Sequence, residues 1–520
     1  MPRLLILSNR LPVTLRVGSD AGSPPPLPGG DLVSIAPSSG GLASALRRLH
    51  EQRDSLWIGW SGDVSPLSEG QRRAVEARLA SQRLLPVHLS AAEVSRYYDG
   101  FSNSVLWPLL HYFLDKVNLD DRSSFEAYEA VNERFAAAAA QRYRPGDVFW
   151  VHDYQLMLVP EMLRRLRPDA KIGFFLHTPF PSSEVFRVLP WRERLLRGLL
   201  GADVIGFHTA SYRAHFAHAA ARLLGIAPAI GGFAGLSPPP TSIDTLCHEG
   251  RRVQLGVYPI GVDAAELGRL ADRAGVRAEA QRIREQAPGG RMVLGVDRLD
   301  YSKGLLRRLA AIERFLERSP ELRRTVRFVQ LAVPTREGVD AYEQMRREVN
   351  ERVGRINAGL GSLDVVPIHF LYRSTPLEAL TALYVAADVM LVTPLRDGMN
   401  LVAKEYAATR LDDTGALILS EFTGAAAELA EALIVNPYDV EEVASAIDRA
   451  LRMPLAEQRL RMGALRRRVV EHDVHRWAGS FLDDLASAPA RAGARVRGAE
   501  LLPAAPCAGS PPARRASGAA

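Results

Sequence analysis

The chain has 520 residues, of which 47% are hydrophobic and 24% are charged, with a formal net charge of +6 at pH 7. This length and mix exclude a disordered or fibrous protein and predict two large globular domains. The two cysteines, Cys247 and Cys507, lie far apart in the sequence, which excludes a disulfide framework and a cysteine-rich metal site. We therefore expect a reducing, cytoplasmic setting.

The first ten residues pass from a short apolar run directly into a polar turn, too short for the apolar region of a signal peptide. No stretch reaches the roughly 20 apolar residues that a membrane-spanning helix needs. Much of the excess positive charge is scattered over helical patterns, as at Arg323 and Arg324, which is typical of a solvated surface. We therefore expect neither a membrane nor a nucleic acid as a partner.

Short apolar runs alternate with longer helix-patterned segments, which predicts an α/β fold of two Rossmann-like lobes with mostly parallel sheets. The predicted strands are residues 4–9, 56–60, 147–153, 171–177 and 203–208 in the first half, and 292–298, 326–332, 388–394 and 416–421 in the second. A turn-forming cluster at 235–242 predicts a join, followed at 253–263 by a strand and loop that enter the second lobe.

These patterns divide the chain into a first lobe at 1–250, a second lobe at 251–470, and a final helix at 471–486 that we expect to return to the first lobe. A proline-rich loop at 17–31 and the tail at 487–520 have the composition of disordered segments.

In open α/β sheets ligands bind beyond the carboxyl ends of the strands, so polar residues after the apolar runs are the first site candidates. Arg298 and Lys303 follow one predicted strand, and two fixed cations at such a place can hold a diphosphate and stabilise its charge as it leaves. The alternative for this pair is a charged surface loop.

A second candidate group follows the strand at 388–394. Gly398 permits a close backbone approach, and the helix that begins after it presents free N–H groups suited to phosphate or sugar hydroxyls. Asp397 in the loop and Glu405 in the helix are carboxylates suited to paired hydroxyls. The alternative is that Asp397 only caps the helix and Glu405 pairs with a surface arginine.

The first half supplies complementary candidates. Arg10, Asp153 and His177 end three predicted strands, and the glycines Gly40 and Gly41 precede a helical pattern. The glycines do not form the GxGxxG fingerprint, which disfavours a dinucleotide-dependent dehydrogenase or epimerase.

Aromatic and small polar residues crowd the segment 97–112, which suits a platform under a sugar ring, although a half-buried aromatic cluster is the alternative. Arg336 follows another strand and can offer a phosphate two donors. His152 and Asp153 are adjacent, but no HxxxH, HExxH or CxxC spacing occurs, so we expect no metal. The GxSxG elbow of a serine hydrolase is also missing.

Nine segments together resemble the trehalose-6-phosphate synthase family of retaining glucosyltransferases. They occur in the family's order over roughly residues 1–485 and are SNR, SSGGL, FSNSVLWP, HDYQL, FFLHTPFP, YPIGVD, RLDYSKG, RDGMNLVAKEY and LIVNPYD. The resemblance implies a GT-B fold, with an acceptor lobe first and a donor lobe second. It implies transfer of glucose from a nucleotide diphosphate glucose, with UDP-glucose expected, to glucose 6-phosphate, giving α,α-trehalose 6-phosphate without a cofactor.

The resemblance also implies roles for individual residues. Arg298 and Lys303 would hold the donor diphosphate, Gly41 would approach it from the first lobe beside Gly40, and Glu405 would bind the ribose. Asp397 and the 398–400 main chain would hold the transferred glucose. The full implied donor set adds Thr375 near the base and the helix-start residues Gly398, Met399, Asn400, Leu401, Val402, Ala403 and Lys404.

For the acceptor, the family pattern assigns the phosphate to Arg10, Tyr98 and Arg336, with Trp107 beside it. Asp153 would meet a sugar hydroxyl and His177 would line the reaction centre, so the implied catalytic set is Asp153, His177, Arg298, Lys303 and Asp397. In the mechanism implied by the resemblance, the acceptor attacks the face that the leaving group departs from and the leaving phosphate takes the proton. A covalent intermediate on Asp397 is the alternative.

Other functions stay open at this point. A relative with another phosphorylated acceptor, such as a glucosylglycerol-phosphate synthase or an enzyme using a cyclitol phosphate, shares much of the pattern, and so does a non-catalytic sugar-phosphate sensor. The proline-rich insertion after Thr14 and the segment 226–250 depart from the family. No DxDGT-type signature follows, so we expect no fused phosphatase. The expected partners are small-molecule substrates, and a homo-oligomer is left open.

Overall fold

The computed structural model describes residues 2–17, 33–37, 41–64, 67–226, 244–286, 290–335 and 340–488. The loop at 17–31 and the tail at 487–520, both predicted to be disordered, lie almost wholly outside these residues. Within the described part of the chain, no helix is long and apolar enough to cross a membrane.

The first lobe is built on an eight-stranded sheet and a small hairpin. Its strands are β1 (Leu4–Arg10), β2 (Val13–Val17), β3 (Val33–Pro37), β4 (Ser55–Trp60), β5 (Leu84–Pro86), β6 (Val148–His152), β7 (Lys171–Phe175), β8 (Val204–Phe207), β9 (Thr245–His248) and β10 (Arg251–Val257). The sheet order is β5-β4-β1-β6-β7-β8-β10-β9, and β2 pairs with β3. Only β9 with β10 and β2 with β3 are antiparallel among the paired strands described.

Helices on both faces of this sheet bury its apolar strands. They are α1 (Gly41–Gln52), α2 (Glu69–Ser81), α3 (Ala91–Glu93), α4 (Trp107–Leu110), α5 (Arg122–Arg142), α6 (Val159–Leu166), α7 (Ser183–Phe186), α8 (Arg192–Leu199) and α9 (Ala210–Leu224). A π-helical segment, Val94–Leu106, joins α3 to α4. Local chemistry sets several ends: Ser68 and Gln71 form a capping box at α2, and Gly225, at a φ of 68°, ends α9 in the left-handed region.

The second lobe has six parallel strands in the order β13-β12-β11-β14-β15-β16. They are β11 (Arg291–Arg298), β12 (Val326–Val333), β13 (Ile368–Tyr372), β14 (Val389–Val392), β15 (Ala416–Ser420) and β16 (Leu433–Val435). Its helices are α10 (Ala264–Asp272), α11 (Ala274–Glu285), α12 (Leu305–Arg318), α13 (Asp340–Leu360), α14 (Leu377–Ala386), α15 (Leu401–Thr409), α16 (Val440–Arg452) and α17 (Leu455–Glu471), and α18 (Val474–Ser487) follows them in the chain. The predicted α/β fold with two mostly parallel sheets is confirmed.

The lobe boundary differs from the expected position at residue 250. The strand predicted within 253–263 was expected to enter the second lobe. It is β10, which pairs in parallel with β8 and antiparallel with β9 in the first sheet. The boundary at 250 therefore falls inside a hairpin, and the chain leaves the first sheet only after Val257. Strand order in a sheet depends on distant pairing partners, which the local pattern does not contain.

The last helix, α18, lies on the first sheet although it follows the second lobe in the chain. Its Phe481 ring stacks on Trp150 with centroids 4.9 Å apart, and its Trp477 ring lies 5.1 Å from Phe175. A Cβ atom at Gly173 would come within 2.7 Å of Phe481, so this strand position has room only for glycine. The helix thus ties the segment Val474–Ser487 to the first lobe.

Candidate functional site

The cleft lies where loops at the carboxyl ends of the two sheets meet. A Cβ atom at Gly398, after β14, would lie 2.1 Å from the carbonyl oxygen of His177, after β7. Tyr212, in the first lobe, donates a hydrogen bond of 3.1 Å to the Asp397 carbonyl oxygen. The Arg298 guanidinium lies 5.5 Å from the centre of the Trp107 ring across the cleft. The predicted site residues of both halves therefore come together.

On the side of the second lobe, an ion pair between Lys303 and Asp397 lines the cleft. Lys303 Nζ lies 2.5 Å from Asp397 Oδ2, and Asn400 Nδ2 donates to the same oxygen at 3.0 Å. Burial acts to raise the pKa of Asp397, but Lys303, His111 and Asn400 outweigh it and the pKa lies below its usual value. Asp397 is thus an ionised, doubly held carboxylate.

The N-terminus of α15 follows directly. Asn400, at a φ of 76°, caps this helix by accepting a hydrogen bond of 3.2 Å from the Ala403 N–H. The alternative in which Asp397 caps the helix is wrong, because Asn400 does so. The first N–H groups of the helix, which have no acceptor four residues back, begin beside the Asp397 carboxylate and suit a hydroxyl or phosphate oxygen.

Two charged side chains of α15 have different surroundings. Glu405 accepts a hydrogen bond of 2.7 Å from Tyr384, and burial raises the pKa of its carboxyl. Lys404 is buried, donates 2.8 Å to the Ile260 carbonyl and pairs with Glu428. The Lys404 ammonium therefore holds the helix to Ile260, in the segment between β10 and α10.

The first lobe presents Asp153 and His177 to the same cleft. Asp153 has a φ of 73°, a region unfavourable for a residue with a side chain, and its Oδ1 accepts the His177 N–H at 3.2 Å. His177 Nε2 lies 3.1 Å from His152 Nδ1. Burial, and then the neighbouring His152 and His208, hold the pKa of His177 well below its usual value, so its ring is neutral. A neutral imidazole suits a hydrogen-bonding role.

The aromatic segment 97–112 lies mostly in the core of the first lobe. Tyr97 is buried, and its hydroxyl donates a hydrogen bond of 3.0 Å to Asn9. Tyr98 is half-buried, and the centre of its ring lies 5.4 Å from the Arg10 guanidinium. The Trp107 ring lies 4.0 Å from that of His111. The segment is therefore a buried cluster that leaves Tyr98 at its edge, beside the first strand's end.

The family model described as glycosyltransferase family 20 matches residues 2–487. The chain belongs to glycosyltransferase family 20. A trehalose-6-phosphate synthase of Mycolicibacterium gilvum is 46% identical over 484 residues, covering 93% of each chain. The predicted resemblance to the trehalose-6-phosphate synthase family is confirmed.

Solved structures of the family share this fold. The UDP-forming α,α-trehalose-phosphate synthase from Burkholderia xenovorans, in complex with glucose-6-phosphate, matches with a TM-score of 0.79 at 36% identity, over 93% of this chain and all of the other. An E. coli structure bound with UDP-2-fluoro glucose matches with a TM-score of 0.79 at 34% identity, over 93% of this chain and 98% of the other. This family 20 member therefore has the predicted GT-B fold and is a glycosyltransferase.

Four further residues of the predicted site are Gly40, Gly41, Thr375 and Arg336. Gly40 and Arg336 lie outside the described residues. Gly41 begins α1, and Thr375 lies in the loop between β13 and α14 with a buried hydroxyl that finds no partner among the described residues. The described residues also contain no group of three or more histidine, cysteine or acidic side chains placed to hold a metal ion.

Sequence reasoning missed Arg308, a buried arginine beneath the donor-side loops. Arg308 pairs with Asp297, which precedes Arg298, and donates 2.9 Å hydrogen bonds to Thr393 and Gln330. It thereby joins the ends of β11, β12 and β14. One signal was available, because Arg308 falls on the apolar face of α12, where a charged residue is unexpected.

Arg308→Met should lower the stability of the second lobe by about 3–5 kcal/mol, because it leaves the Asp297 carboxylate buried and unpaired. Urea titration, following the second lobe's unfolding transition, measures the change. The matched control is Arg307→Met at the exposed neighbouring position, expected to cost less than about 1 kcal/mol. Equal effects of the two substitutions would contradict a structural role for the Arg308 network.

We expect kcat/KM to fall on the acid side of its pH profile, in an acid limb caused by protonation of Asp153. Burial raises the pKa of this carboxyl to about 6, while the Tyr154 and His177 N–H groups and Arg298 act against it. An ionised carboxylate accepts a hydroxyl hydrogen bond better than a neutral one, so kcat/KM should fall below about pH 6. Since the folded-state pKa is raised, the stability that this group contributes is complete at low pH and is lost as the pH rises through about 6.

A pH profile of kcat/KM tests the assignment. Arg298→Ala should move the limb to higher pH, because the cation that favours ionisation is gone, and Asp153→Asn should remove the limb. A limb that neither substitution changes would belong to another group.

Proposed function

We propose that this chain transfers glucose from UDP-glucose to glucose 6-phosphate with retention at the anomeric carbon, forming α,α-trehalose 6-phosphate and UDP. The observation that carries the proposal is the buried ion pair of Lys303 with Asp397, next to Gly398, whose backbone lies against the His177 main chain of the first lobe. The named relatives, one bound with glucose-6-phosphate and one with UDP-2-fluoro glucose, support both substrates.

On the donor side, Arg298 and Lys303 would hold the diphosphate, with the N-terminus of α15 adding main-chain N–H groups. Glu405, already paired with Tyr384, would bind the ribose, and the half-buried loop at Thr375 would meet the base. Asp397 and the main chain of 398–400 would hold the glucose. Gly40 and Gly41 would approach the diphosphate from the first lobe.

On the acceptor side, Arg10, Tyr98 and Arg336 would hold the phosphate of glucose 6-phosphate. Trp107 would lie beside it, and Asp153 would accept a hydrogen bond from a sugar hydroxyl. Arg298 above the Trp107 ring would then link the two substrates.

The chemical step follows from these placements. The acceptor hydroxyl oxygen bonds to the anomeric carbon on the face from which the UDP oxygen departs, and its proton passes to the leaving phosphate oxygen. Arg298 and Lys303 stabilise the negative charge that develops on that phosphate. Asp397 accepts hydrogen bonds from both Lys303 and Asn400, which lowers its nucleophilicity and supports its role as a glucose ligand rather than a covalent nucleophile.

Incubation of the purified protein with glucose 6-phosphate and UDP-, GDP- or ADP-glucose tests the proposal. We expect nucleotide release, fastest with UDP-glucose, and a product whose two anomeric protons have the small couplings of an α,α linkage. Glycerol 3-phosphate and unphosphorylated glucose are the control acceptors. Faster transfer to glycerol 3-phosphate, or no release with any donor, would refute the proposal.

A further inference from the structure

The first lobe contacts the second through residues 112–116, which follow α4 and which we call the bridging turn. The Tyr112 ring centre lies 4.2 Å from the guanidinium carbon of Arg396. The Phe113 ring meets that of Tyr301 edge to face, with centroids 5.0 Å apart. Two adjacent aromatic side chains of one lobe therefore rest on two separate loops of the other.

These two loops carry the Lys303–Asp397 ion pair. Tyr301 stands two residues before Lys303, and Arg396 directly precedes Asp397. The bridging turn thus touches the second lobe beside each member of the pair. A movement of the lobes relative to one another would act on both charged groups at once.

Tyr112 is held in place by its own lobe. Its hydroxyl oxygen accepts a hydrogen bond of 2.8 Å from the Ser182 N–H, and its own N–H donates 3.0 Å to the Leu109 carbonyl in the last turn of α4. Its φ of 67° lies in the left-handed region, which a tyrosine rarely adopts. Such a backbone persists only where the surrounding contacts over-determine it. The Tyr112 ring is therefore a fixed surface for the cation of the other lobe.

The Arg396 guanidinium uses this aromatic face as a partner. The side chain is half-buried, and its Nε is buried without a hydrogen-bond partner among the described residues. A guanidinium is weakly hydrated and stacks readily on aromatic rings, and its attraction to the ring grows as water is removed. The contact with Tyr112 therefore favours the arrangement in which the two lobes meet.

We propose that Tyr112 and Arg396 are positioning residues for glucose transfer, a cation–π pair between the lobes that holds Asp397 in place against the first lobe. This inference rests on the proposed function. The Asp397 carbonyl already accepts a hydrogen bond of 3.1 Å from Tyr212, so the pair adds a second tie one residue away. Neither residue needs to touch a substrate, because displacing reacting groups by about 1 Å is enough to slow the reaction.

Steady-state kinetics of Tyr112→Leu and Arg396→Met test the pair. Each substitution should lower kcat about tenfold, and the double substitution should also lower it about tenfold, because the second change removes a contact that is already lost. The KM for UDP-glucose should stay within about twofold, because the side chains assigned to the diphosphate and ribose lie on the second lobe. Leucine disfavours the left-handed region as tyrosine does, so the backbone cost is unchanged.

Two further variants separate the ring contact from other effects. Tyr112→Phe keeps the aromatic face and should retain at least about a third of the wild-type kcat. Tyr143→Leu is the matched control, because the Tyr143 ring lies 5.8 Å from the Arg167 guanidinium within the first lobe. It should leave kcat unchanged.

Hydrogen–deuterium exchange gives a readout that a role confined to the first lobe would not move. The Leu395 N–H donates 2.8 Å to the Ser302 carbonyl, and the Asp397 N–H donates 3.1 Å to the Phe422 carbonyl. In Tyr112→Leu both amides should exchange faster, although the substitution is in the other lobe. In Tyr143→Leu they should exchange as in the wild type.

The outcomes separate the two proposals. Wild-type protein that transfers no glucose refutes the proposed function and this inference together. Wild-type transfer with an unchanged kcat in Tyr112→Leu and Arg396→Met, losses that multiply in the double variant, or unchanged amide exchange at 395–397 in Tyr112→Leu refutes this inference alone.

Discussion

Lys303→Ala is expected to lower kcat/KM for UDP-glucose by about 10²–10³-fold, the loss typical of removing one preorganised group that stabilises a developing anion. Lys303 is nearly buried, with 9% of its side chain exposed, so its charge acts in a site from which water is largely excluded. The KM for glucose 6-phosphate should change little. Initial rates over a matrix of both substrate concentrations give the two constants.

The same substitution should alter Asp397. Burial raises the pKa of Asp397, and the Lys303 ammonium at 2.5 Å is the main group that lowers it. Without this ammonium the pKa of Asp397 should therefore rise. Lys303→Arg is the matched control, because it keeps the positive charge, and it should lose less activity than Lys303→Ala. If Lys303→Ala raised chiefly the KM for glucose 6-phosphate, the division of the cleft into donor and acceptor sides would be wrong.

Gly398→Ala is expected to lower kcat/KM by about 10²-fold or more, since displacing reacting groups by about 1 Å can cost that much. The added Cβ would lie 2.1 Å from the His177 carbonyl oxygen and 3.1 Å from the Thr178 Cα atom. Both are main-chain atoms of the other lobe, so the strain is relieved by moving the lobes apart. Each lobe should keep its own fold.

Gly354→Ala is the matched control, because Gly354 lies exposed in α13 and a Cβ there meets nothing within 4 Å. It should leave activity unchanged and stabilise the helix slightly. Steady-state kinetics measure activity, and small-angle X-ray scattering with UDP bound measures lobe separation. Full activity in Gly398→Ala would contradict the close approach of the lobes.

Much of the fold could be predicted because each long central strand is a continuous apolar run that ends in polar residues. The nine strands predicted in the two halves are all present, with ends within two residues of the prediction, and the further strand predicted within 253–263 is β10. The missed strands are mostly at or next to sheet edges and short, such as β5 and β16 with three residues each, too few to give a periodic signal.

The candidate site was predicted in part for the same reason. Arg298 ends β11, and Lys303 and Asp397 lie in the loops after β11 and β14, where the strand-end rule finds polar residues whatever their partners. Their partnerships were not predictable, since Lys303 and Asp397 are 94 residues apart and Tyr212 and Asp397 are 185 apart. Arg308 was overlooked because its partners lie on three different strands.

Apolar periodicity and the residues that follow each strand are local properties, and they were enough to predict the two-lobed α/β fold, the strand ends and the chemical character of the site. Three other features became visible in the folded chain: β10 belongs to the first sheet, Asn400 rather than Asp397 caps α15, and Gly398 meets the His177 main chain across the cleft. These features depend on packing between segments far apart in the chain, and no local pattern records which segments come together.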